Sequence, residues 1–120
     1  MIAGYVKILL PLKYQQVTYI GELPTDIDTC IALKEVGGGH GTYFAKDQMD
    51  TPYLQVYVRC PSYAEGYEMI KQCKNIITSY ADAQLLSVVL AKDINYYGRD
   101  DKRRNLFSIT FKIYSYLNLK

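Results

Sequence analysis

A chain of 120 residues, 49% of them apolar, has room for one modest hydrophobic core. Its formal net charge of +2 falls well short of the cationic field with which proteins neutralise phosphates, so charge does not argue for a nucleic-acid binder. No segment approaches the roughly 20 apolar residues that span a bilayer, and MIAGYVKILLPLKY lacks the parts of a secretion signal; a soluble protein without an address signal is the expectation.

In chain order, Ile2, Val6, Leu9 and Leu10 fall on one helical stripe that Pro11 ends, which predicts a short N-terminal helix over residues 2–10. KYQQVTYIG and TCIALKEV are β-branched or aromatic runs parted by the turn formers of ELPTDID, and predict two adjacent strands joined by a loop. YLQVYVRC alternates: Leu54, Val56, Val58 and Cys60 point one way, and Tyr53, Gln55, Tyr57 and Arg59 the other. After Pro61, Ser62 with Glu65 three residues on is a capping box. Tyr63, Tyr67, Ile70, Cys73, Ile77 and Tyr80 then recur at helical spacing, as the core stripe of a long amphipathic helix. LLSVVLAKDINYYGRDDKRRNLFSITFKIYSYL reads as two long strands around a polar turn, with Phe107, Ile109, Phe111 and Ile113 inward and Ser108, Thr110, Lys112 and Tyr114 toward water. The pattern predicts a two-layer α+β fold over residues 1–120, a single domain with no repeat, with a flexible loop at 37–50 and a hairpin turn at 98–105.

GGGHG invites a search for chemistry. A phosphate-binding loop needs Lys-Ser or Lys-Thr after its last glycine and a helix beyond, whereas Gly41 precedes Thr42 and Tyr43. Zinc needs three or four convergent ligands, and His40 is the chain's only histidine. Cys30, Cys60 and Cys73 form no C-x-x-C pair and read as reduced, part-buried thiols. Asp100 and Asp101 sit in a polar turn where nothing raises a carboxyl pKa. The reading is therefore no enzyme, cofactor or metal.

What remains speaks for contacts. Thirteen tyrosines pair apolar bodies with polar tips, and Tyr53, Tyr57, Tyr114 and Tyr116 would give the second sheet face the character of a subunit interface. Tyr43 and Phe44 stand as aromatic anchors in the glycine-rich arm, which suits a segment that orders on a partner. In the turn, Arg99, Asp100, Asp101, Lys102, Arg103 and Arg104 place both signs at one exposed tip, suited to an orienting contact.

IGELPTDIDTCIALKEVGG, PYLQVYVRCPSYAEGYEMIKQCKNII and INYYGRDDKRRNLFSITFKIYSY, in this order, resemble the tail-terminator (tail-completion) or minor capsid proteins of long-tailed bacteriophages. The matching blocks are Asp28 to Gly38, Gln55 to Arg59, Ser62 to Tyr67 and Gly98 to Tyr114, and the likeness covers nearly all of the chain from Tyr19 onward. Gly66 departs from the family's frequent alanine, which implies a softer helix start or a close approach to a neighbour. The resemblance implies a mixed, mostly antiparallel sheet with helices on one face. It also implies a structural virion protein, made in the host cytoplasm, that forms a homo-hexameric ring on the head-proximal end of the tail tube. Its partners would be itself, the tail-tube protein and head-completion or neck proteins, with DNA passing the lumen without specific binding and no membrane involved. Another neck component, a head-completion adaptor or stopper, shares this size and chemistry. A small nucleic-acid module would need aromatics interleaved with basic residues on one strand face, and VRC and KRR supply only the basic residues.

Overall fold

The computed structural model describes residues 7, 10–36, 53–83 and 86–115, with side chains apart from those at 80–89 and 113–115. The helix expected at 2–10, the arm at 37–50 and Tyr116 lie largely or wholly outside these residues. Five strands form one mixed sheet: β1 (Thr18–Ile20), β2 (Cys30–Val36), β3 (Tyr53–Cys60), β4 (Leu86–Arg99) and β5 (Asn105–Ser115), in the order β1-β2-β3-β5-β4. Only β1 and β2 are parallel, and the other three pairings are antiparallel. Two helices with described bounds, α1 (Leu12–Gln15) and α2 (Tyr63–Ala83), give the described residues an α+β architecture.

Pro11 opens a helix here. Its fixed φ of −56° suits the entry to α1, and its carbonyl accepts the N–H groups of Tyr14 and Gln15 at 2.8 and 3.0 Å. LKYQ is therefore helical rather than extended, with Gln16 as its C-cap, and the strand expected across KYQQVTYIG shrinks to Thr18–Ile20. Gln15 Nε2 donates back to the Leu10 carbonyl at 2.7 Å and Thr18 Oγ1 to the Tyr14 carbonyl at 2.6 Å, which ties off the helix before β1 begins.

The register explains the core. Ile31, Val58 and Phe107 stand in one row across β2, β3 and β5, and Leu33, Val56 and Ile109 in the next. All six are fully buried against Met69, Ile70, Cys73 and Ile77 of α2, with Leu10 and Tyr14 closing the side. At roughly 1.5–3 kcal/mol for each large apolar side chain buried, these rows supply the main drive to fold. The expected alternation holds for Leu54, Val56, Val58 and Cys60 of β3 and for Phe107, Ile109 and Phe111 of β5; Ser108, expected toward water, is only 3% exposed because it bonds to Tyr97, and the side chains of Ile113 and Tyr114 lie outside the described residues.

α2 begins as its sequence dictates. Ser62 Oγ accepts the N–H of Glu65 at 3.3 Å and the Ser62 carbonyl accepts the N–H of Gly66 at 2.9 Å. The Glu65 carboxylate turns toward Cys60 Sγ, 3.9 Å away. The buried stripe is rotated from the expected one: Gly66, Met69, Ile70, Cys73 and Ile77 face the sheet, whereas Tyr63 and Tyr67 are 50% and 40% exposed. Gly66 is the cause. A Cβ there would lie 2.7 Å from Phe107 Cε1 and 3.2 Å from Cys60 Cβ, so the helix lies too close to β5 for a tyrosine to fit beneath it. The tyrosines splay outward, their rings stacked at 6.4 Å, and Tyr63 meets Phe107 at 5.2 Å and Tyr96 at 5.0 Å.

Gly66→Ala sets a helix-propensity gain of about 1 kcal/mol against the strain of overpacking, about 1–3 kcal/mol. Phe107 is fully buried and held by three tyrosine rings, so strain wins. A urea titration should show a lower midpoint for the variant; a raised midpoint would mean that Phe107 yields freely.

Candidate functional site

The residues singled out in the sequence fall into three places. Tyr43 and Phe44 lie outside the described residues, as does His40. Tyr53 and Tyr57 stand half-buried on the sheet face opposite α2, in register with Lys112 and Ser108 of β5. Arg99 to Arg104 form the turn between β4 and β5, at the other end of the molecule's longest hairpin.

The open face carries separate polar contacts. Ser108 Oγ donates to Tyr97 Oη at 2.9 Å, and Tyr57 Oη to Gln55 Oε1 at 2.9 Å. The bond from Ser108, helped by Asn95, holds the Tyr97 phenol below its ordinary pKa, while burial pushes that of Tyr57 up. Tyr57 sits beside Gly21, Glu22, Leu23, Lys34 and Leu106 in a shallow depression bridged by the Lys34–Glu22 ion pair at 3.3 Å. Lys112 Nζ lies 6.0 Å from the centre of the Tyr53 ring. Phenols, amides and ammonium groups of this kind combine apolar bodies with polar tips that bond at a surface.

The turn is built around Asp100. Its N–H and carbonyl engage Arg104 and Arg103 at 3.0 and 2.9 Å, and Oδ1 accepts the N–H groups of Lys102 and Arg104 at 3.0 and 2.9 Å. Arg103 takes a φ of +62°, the left-handed geometry that the tight reversal needs. Asp101, Lys102 and Arg103 are exposed, as expected of a tip.

Arg104 is not. Expected as an exposed contact residue, it is only 6% accessible, because its side chain folds back under the turn. The guanidinium donates to Asp100 Oδ2 at 2.9 Å and to the Thr25 and Ile27 carbonyls at 3.0 and 3.3 Å, with Asp28 at 3.5 Å. Arg59, assigned to the wet face of β3, is likewise buried and donates to the Pro24 and Ile27 carbonyls. Its Nε is the one buried side-chain nitrogen or oxygen without a partner among the described residues. Two arginines thus hold the connection at residues 21–29. The sequence offers only a faint sign of this, the spacing of Asp100 and Arg104 and the lone cation in the apolar run VYVRC.

The thiols are built into the core. Cys30, Cys60 and Cys73 are free and buried, and burial pushes the Cys73 thiol up to about 12, far from the thiolate that chemistry requires. Among the described residues, no three His, Cys, Asp or Glu side chains converge as metal ligands, and no helix is long and apolar enough to cross a membrane.

Arg104→Ala should lower the urea midpoint far more than Arg103→Ala, and Arg104→Lys should not restore it, since an ammonium cannot reach two carbonyls and a carboxylate at once. Equal losses for the two alanine variants would remove the clamp. The Arg104 backbone N–H foremost, then its guanidinium and the Lys102 N–H, hold the Asp100 carboxyl down at about 2 against the opposing effect of burial. A folded-state pKa below the unfolded one stabilises fully above the unfolded value, so this contribution should fade as pH falls from about 4 to about 2. Asp100→Asn should flatten the acid limb of stability against pH in that window; an unchanged limb would show that the carboxylate contributes nothing there.

The sequence profile of the family described as "Bacteriophage tail terminator protein" matches residues 5–116. No match was found among curated proteins. A match across almost the whole chain, on a mixed sheet with one helical face and one polar, tyrosine-bearing face, carries the assignment: the chain belongs to the bacteriophage tail terminator protein family and is a structural component of the phage tail.

Proposed function

We propose that the protein closes into a ring, hexameric in its complete form, on the head-proximal end of the tail tube, where it ends tube growth and offers the surface to which the head joins. Family membership supplies the setting. The observation that carries the reading is the sheet's open face: α2 covers one side, while Tyr53, Gln55, Tyr57, Thr110 and Lys112 on the other are only half-buried and no described helix covers them. Tyrosine with scattered polar groups is the make-up of a contact surface, with large anchoring rings and polar tips that tolerate water before assembly. Arg99, Lys102 and Arg103 at the hairpin tip, with Asp101, provide rim charge that orients the approach of a neighbour; Arg104 and Asp100 hold the tip in shape.

The lumen of such a ring passes DNA without reading it. Negative-stain images of the purified protein, alone and mixed with tail tubes, should show rings or capped tube ends. Tyr53→Ala with Tyr57→Ala should leave the fold intact and weaken capping about tenfold or more, as loss of two central aromatic anchors does. A protein that stays monomeric at high concentration and leaves tube ends bare would sink the reading.

A further inference from the structure

We draw no further inference here: the strongest candidate, the exposed tyrosine ridge of Tyr63, Tyr67 and Tyr96 on the helix side of the sheet beside β4, is an apolar surface for which nothing in the structure shows what covers it.

Discussion

Two buried guanidinium groups hold the connection between β1 and β2. Parallel neighbours ordinarily need about a dozen residues or more and a helix to return the chain; here residues 21–29 do it without either. A path so short leaves carbonyls that no strand or helix can pair, and buried carbonyls must find donors. Arg59 reaches in from the middle of the sheet and Arg104 from the hairpin turn, and between them they engage the carbonyls of Pro24, Thr25 and Ile27. The planar fork of arginine suits the task, since one side chain can serve several acceptors at fixed angles. Gly21, at a φ of +105°, opens the connection and donates to the Leu33 carbonyl at 2.9 Å, so the reversal starts from the one residue type that meets it without strain.

The clamp joins parts distant in sequence. Arg104 and Thr25 lie 79 residues apart, and through them the β4–β5 turn is fixed to the β1 side of the sheet. The turn's shape and the placing of β1 therefore stand or fall together. The exposed tip, Asp101 to Arg103, is a charged surface on a rigid mount.

The other face is set by a missing side chain. Gly66 brings α2 onto Phe107, and that approach lifts Tyr63 and Tyr67 out of the core into a ridge with Tyr96. Phe107 thus serves the core from beneath and the ridge from above.

Local chemistry determined much of this protein in advance. Alternation in YLQVYVRC and NLFSITFKIYS marked β3 and β5 and their inner faces, because a strand turns every second residue to the core. Ser62 and Glu65 marked the start of α2, and the ordered blocks from Asp28 to Tyr114 marked the family. Three things only the tertiary structure decided. Arg59 and Arg104 look like surface cations until the return of residues 21–29 brings carbonyls over them, and no local pattern announces a loop that far along the chain. The rotation of the helix stripe depends on how near the axis lies to Phe107, which periodicity cannot give, since Tyr63 and Met69 both fit a stripe. The shortness of β1 follows from the short helix after Pro11, where one φ angle outweighed the strand character of the residues beyond it. Propensity and alternation act over a few residues, whereas satisfying a buried carbonyl and choosing a helix's distance from a sheet are settled by partners that meet only once the chain has folded.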